Sequence, residues 1–155
     1  MQPSDATICV GGTQNFTIAA TGGVSLTYQW QYLNGATWGN VTNSMPTNSV
    51  YSGGTSTTLN VSGNIAAGTY SYRVLVNDAA NGCNSVVSAT AILTINAVPT
   101  IATQPASATI CVGGTQNFTV AATGGVSLTY QWQYLNGATW GNVTNSTPTD
   151  RKSVV

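Results

Sequence analysis

Leu26, Tyr28, Trp30 and Tyr32 alternate with Thr27, Gln29 and Gln31. That period of two predicts a strand with one buried face and one wet face. Asn34-Gly35 follows, a dipeptide suited to a tight hairpin turn in which both central residues take positive φ. Trp38 to Val41 is then expected as a short returning strand. The same pattern extends in both directions. Thr7 to Val10 reads as a first strand ended by Gly11-Gly12, and Phe16, Ile18 and Ala20 as the inward face of a second. Pro46 and Gly53-Gly54 bracket a weak strand at Val50-Tyr51, and Leu59 and Val61 form the next inward pair. Tyr70, Tyr72, Val74 and Val76 lie on one face of a long strand. After Asn81-Gly82, one closing strand is expected from Val86 to Ile95, with Ala91, Leu93 and Ile95 inward.

The stretch Leu26 to Trp38 returns unchanged as Leu128 to Trp140. Gln2 to Thr47 aligns with Gln104 to Thr149 at an offset of 102, differing only at Ser4/Ala106, Asp5/Ser107, Ile18/Val120 and Met45/Thr147. Copies this similar imply a tandem duplication, as in long arrays. The expected organisation is a complete module over residues 1–97, a Pro-containing linker over 98–103 and the N-terminal half of a second module over 104–149. The last six residues, 150–155, hold three of the six charges in the chain and resemble a translated sequencing-adapter sequence. They are read as a non-native tail, and the chain as a fragment of a longer reading frame. The half-module carries Phe118, Val120, Tyr130, Trp132 and Tyr134 but no counterparts of Leu59, Tyr72 or Leu93, so it is expected to lack an independent fold.

Composition narrows the functional classes. Only Arg73, Arg151 and Lys152 are basic and only Asp5, Asp78 and Asp150 acidic, with no Glu and no His. Apolar residues make up 42%, enough for a core, so solubility falls to Thr, Ser, Asn and Gln. No basic patch exists to neutralise phosphates, which argues against nucleic acid as a partner. No apolar run approaches the length of a membrane span, so no membrane insertion is expected in this segment. The overall character is that of an extracellular or cell-surface module.

Leu59-x-Val61, Ile65 and then Gly68-x-Tyr70-x-Tyr72, following the Trp30 strand, resemble an immunoglobulin-like domain of the bacterial surface-repeat type. The resemblance covers residues 2 to 97 and the first half of the second copy. It implies an all-β, immunoglobulin-like Greek-key β-sandwich, one complete module plus a truncated second, of the kind found in arrays of large secreted adhesin-type proteins. Trp30, Tyr70, Tyr72 and Trp132 are read as structural core. Tyr70 takes the tyrosine-corner position, its hydroxyl bonding backbone near the preceding turn. The two inter-sheet cysteine positions of antibody domains are expected at Ala20 and Tyr72, so that bridge is absent. Cys9 and Cys83 are expected instead to form a disulfide joining the first strand to the turn before the last, two buried free thiols being the other arrangement. The partner of Cys111, the counterpart of Cys9, is not identified.

Catalytic chemistry has little to work with. General acid–base catalysis needs His, paired carboxylates or a tuned Lys, and zinc sites need His or more Cys than three. The chain is therefore read as no enzyme, with neither cofactor nor metal. Trp38 is the ambiguous aromatic. Flanked by Asn34 and Asn40, it and its copy Trp140 could stack on a sugar ring beside amide hydrogen-bonding groups, or Trp38 could simply cover the sandwich edge. Asn15-Phe16-Thr17, Asn40-Val41-Thr42 and Asn60-Val61-Ser62 match the N-glycosylation acceptor pattern, at a frequency expected in so Asn- and Thr-rich a chain. The expected function is that of a structural or adhesive repeat, a spacer or multivalent adhesin. Its partners would be neighbouring repeats of the chain and surface glycans or other proteins. The alternative is a carbohydrate-binding module using Trp38 and Trp140.

Overall fold

The computed structural model describes residues 1–80 and 83–144, the side chains of residues 83 and 84 excepted. The Asn81-Gly82 turn and the tail over 150–155 lie outside the described residues. The chain divides into two units, Met1–Val98 and Pro99–Val155.

In the first unit, alternating sequence becomes nine strands: β1 (Ala6–Cys9), β2 (Gln14–Thr17), β3 (Leu26–Asn34), β4 (Thr37–Asn40), β5 (Ser49–Ser52), β6 (Thr58–Gly63), β7 (Gly68–Asp78), β8 (Cys83–Val87) and β9 (Ala91–Asn96). One sheet runs β1-β9-β7-β3-β4 with β8 also on β7, and the other runs β2-β6-β5. The unit is an immunoglobulin-like β-sandwich. β3 and β7, the longest strands, pair antiparallel from Leu26–Asp78 to Tyr32–Tyr72 and form the centre of the larger sheet.

The inward residues of both sheets meet in one core. Trp30, Tyr72, Phe16, Leu59, Ile65, Leu93, Val61 and Val74 are fully buried. The Trp30 indole N–H, which would be costly to bury alone, donates to the Ser56 carbonyl at 2.9 Å. Phe16, from the smaller sheet, stands 5.4 Å from the Tyr72 ring and 6.4 Å from Trp30. Tyr72 reaches further across, its hydroxyl 3.1 Å from that of Tyr51, which also donates to the Met45 carbonyl at 3.2 Å. Tyr70 donates from its hydroxyl to the Ala66 carbonyl at 3.0 Å, tying β7 to the turn before it.

Four expectations are revised. The inter-sheet position facing Tyr72 is held by Phe16 rather than Ala20, because β2 ends at Thr17 and Ala20 is only half-buried beyond it. The single closing strand is two, β8 and β9, both on β7. The break falls at Ser88, whose hydroxyl accepts the Val74 N–H at 3.0 Å where the strand's own carbonyl would otherwise serve. The β3–β4 hairpin turns on Gly35-Ala36 instead of Asn34-Gly35. Asn34 pairs with Thr37, and only Gly35, at φ 63°, takes a positive φ, which suits a turn with Gly at its first central position. Finally, Thr100–Thr103, expected within a linker, forms strand β10 and pairs with β11 (Ala121–Thr123). The first copy shows the matching rung: Met1 and Ala19, the equivalents of Thr103 and Ala121, exchange backbone hydrogen bonds of 3.0 and 3.1 Å.

The second unit contains β10–β11 and the hairpin β12 (Gln133–Asn136) with β13 (Thr139–Asn142). None of its described residues is buried. Phe118 and Trp132 are half-buried although their sequence equivalents Phe16 and Trp30 are 1% and 0% exposed, and Tyr130 is 55% exposed. The same side chains thus stand in different surroundings. Phe118 and Trp132 have no counterparts of β6, β7 and β9 to enclose them among the described residues, and burial of one such side chain is worth about 1.5–3 kcal/mol.

Hydrogen exchange on the isolated chain at low concentration checks this. Amides of Gln29 to Tyr32 should be protected up to the global opening of the first unit, and those of Gln131 to Tyr134 should exchange orders of magnitude faster. Equal protection in the two copies would show that the second unit folds alone.

Alkaline pH gives a second test. Burial holds the Tyr72 hydroxyl far above its ordinary value of 10.0, and its bond with Tyr51 adds to the effect. Folded Tyr72 keeps its proton where the unfolded side chain loses it. Its contribution to stability is therefore complete below about pH 10 and declines as the pH rises above that. Urea midpoints should be flat from pH 7 to 9 and fall above pH 10, less steeply in Tyr72→Phe.

Candidate functional site

The outward face of β4-β3-β7 collects the polar and aromatic groups that packing does not consume. Alternation that turns Trp30 and Tyr32 inward turns Gln31 and Leu33 outward. The strand register then sets Arg73, Gln31 and Asn40 in one row across β7, β3 and β4, with Leu33 and Trp38 side by side in the next. Arg73 spans the two rows. Its guanidinium carbon lies 4.3 Å from the centroid of the Trp38 ring, a cation–π contact, and its Nε–H donates to Gln31 Oε1 at 2.9 Å. Gln31 in turn donates from Nε2 to Asn40 Oδ1 at 3.2 Å.

Of the residues singled out for sugar binding, Trp38 and Asn40 are brought together here. Trp38 is half-buried, with one ring face under Arg73, while Asn34 is exposed at the far end of β3. Trp140 repeats the Trp38 position in β13 and is 49% exposed, with Gln133 donating to Asn142 Oδ1 at 3.0 Å as in the first copy. Arg73 and Gln31 were not among the sequence candidates. The signal was present: Arg73 is the sole basic residue before residue 151, and it occupies an outward position in an alternating strand.

The cysteines are not brought together. Cys9 is an exposed free thiol at the end of β1, beside Asn96. Cys83 pairs in the backbone register with Asp78, at the other end of β7 from Gly68, which lies beside Ile95. An eleven-residue strand separates those ends, roughly 33 Å at 3.3 Å per residue, far beyond the ~7 Å Cα separation a disulfide spans. Sequence order cannot reveal this, because it does not say that β1 ends at the pole opposite the one where β7 turns into β8. Cys111 is likewise an exposed free thiol. Among the described residues no group of three or more His, Cys, Asp or Glu is placed to hold a metal.

No protein-family model matches the chain. It is 33% identical over 141 residues to endoglucanase C of Cellulomonas fimi, a match that covers 90% of this chain but 12% of that protein. Among solved structures it is similar to the N-terminal Ig1-2 module of the Drosophila receptor protein tyrosine phosphatase DLAR, with 22% identity, a TM-score of 0.41 and coverage of 96% of this chain and 74% of that one. It is also similar to a chimeric titin Z1Z2-Z1Z2 tandem, with 13% identity, a TM-score of 0.40 and coverage of 96% and 73%.

The strand register makes a direct prediction about the thiols. Cys9 should react with a thiol reagent in the native chain without denaturant, and Cys9→Ser should change stability by no more than about 0.5 kcal/mol. Recovery of a Cys9–Cys83 cross-linked peptide from a non-reducing digest would contradict the register.

Proposed function

We propose that this chain is part of a tandem array of immunoglobulin-like repeats in a secreted or cell-surface bacterial protein of adhesin type. Each repeat acts as a spacer and presents weak contacts that repetition multiplies. One observation carries this reading: a sequence repeated at an offset of 102 residues with four differences over the aligned segment, whose first copy closes into a sandwich with its large inward aromatics committed to the core. Arrays gain avidity from copy number without new chemistry in any copy. The partners in this reading are the neighbouring repeats, together with surface glycans or other proteins outside the cell. No catalytic role is included, since the carboxylates of the first unit, Asp5 and Asp78, serve backbone amides. The endoglucanase similarity spans 12% of that protein, and its activity is not carried over.

Head-to-tail copies of residues 1–102, pulled in a force spectrometer, test the spacer role. Each copy should unfold as a separate, evenly spaced step releasing about 3.6 Å per unfolded residue. Gradual extension without steps would remove the spacer reading. Retention on a cell or glycan surface should rise more steeply than linearly with copy number, and equal retention of one copy and four would remove the adhesive one.

A further inference from the structure

Arg73 is the only basic side chain among the described residues, yet no carboxylate is set against it. Asp5 Oδ1 accepts the Ile92 N–H at 2.8 Å, and Asp78 accepts the N–H groups of Val24, Ser25 and Ala80 at 3.2–3.4 Å. The guanidinium is instead held by neutral groups, the Trp38 ring and Gln31 Oε1, and Gln31 is itself braced by Asn40. An arginine so held has given up much of its rotamer freedom before any ligand arrives, which lowers the cost of binding. Using Nε–H for Gln31 leaves the Nη edge, which can take a carboxylate through two parallel hydrogen bonds.

We propose that the outward face of β4-β3-β7 binds a carboxylate-bearing sugar of the uronic-acid class. The carboxylate is taken by the Nη edge of Arg73, and the sugar hydroxyls by the amides of Gln31 and Asn40. Trp38 is a positioning residue: it fixes the guanidinium plane and shields one side of it from water. Two observations favour a saccharide over an acidic peptide. Gln31, Asn40 and Ser71 offer amide and hydroxyl groups on the face that carries Arg73, interleaved with the apolar Leu33, Leu75 and Ile92, a mixture that suits the polar rim and apolar faces of a sugar ring. Arg73 also lies two strands in from the β4 edge, so a peptide adding to that edge as a strand would not cover it. The proposal rests on the adhesive part of the proposed function. The spacer part, read by force, stands if no sugar binds.

Titration of the full 155-residue chain with trigalacturonate, followed by NMR at the Arg73 Nε–H and the Trp38 indole N–H, tests it. Both resonances should shift saturably, with a Kd in roughly the millimolar range. Binding should weaken above about 0.1 M salt, where the Debye length falls to about 10 Å. The methyl-esterified trisaccharide should leave both resonances in place. Arg73→Gln should abolish the effect, and Arg73→Lys, which keeps the charge and loses the planar fork, should weaken it about tenfold. Dispersed core resonances establish that each variant is folded, and the wild-type titration needs no variant. Absence of a saturable shift in the wild-type chain overturns the proposal, as does unchanged binding by folded Arg73→Gln. Equal binding of triglutamate overturns the assignment to a sugar.

Discussion

The contact of Phe16 with Tyr72, centroids 5.4 Å apart, joins the two sheets where an antibody domain would place its disulfide. Everything else in the first unit is arranged around it. Trp30 lies against Phe16, so the central strand of one sheet is held by a side chain from the other. The Tyr72 hydroxyl then continues to Tyr51 on β5, giving a second tie between the sheets. A cross-link of this kind has no redox dependence. It depends on water being kept from a buried hydroxyl, which is why alkali rather than reductant opposes it.

The second copy shows what that contact requires. Its Phe118 and Trp132 have the same local sequence as Phe16 and Trp30, and its hairpin repeats the Asn34–Thr37 rung as Asn136–Thr139. Local pattern therefore forms the hairpin in both copies, whereas burial of the aromatics occurs only where β6, β7 and β9 enclose them. Secondary structure here is a property of ten residues, and the core is a property of ninety.

That distinction also explains what could be read in advance. Strands with strict alternation, β3 and β7 above all, were legible because period two leaves one arrangement of faces. Tyr70 was legible from Gly68-x-Tyr70-x-Tyr72, with its bond to Ala66 following from the corner geometry. The pairing of Phe16 rather than Ala20 with Tyr72 was not, because alternation continues through Ile18 and Ala20 and does not mark where β2 stops pairing. The break at Ser88 depends on one hydroxyl reaching a backbone N–H, and a Ser among strand residues carries no mark of that. The separation of Cys9 from Cys83 is a matter of which pole each strand reaches, information that exists only once the sheets are assembled. At the candidate site, Trp38 and Asn40 were visible as types and Arg73 as the lone cation of the first copy, but only the register across β7, β3 and β4 brings the three together.

Asp5 and Asp78, with carboxylates spent on backbone N–H groups, leave a module whose surface is almost uncharged, with amide and hydroxyl groups set among exposed apolar side chains such as Val24, Val50 and Ile92. Such a surface has no long-range field to screen and few groups to titrate between the carboxylate and tyrosine ranges. Between those ranges its solubility and its fold depend little on the ionic strength or the pH of the surroundings. From dilute to saline water, such a module presents the same nearly uncharged coat.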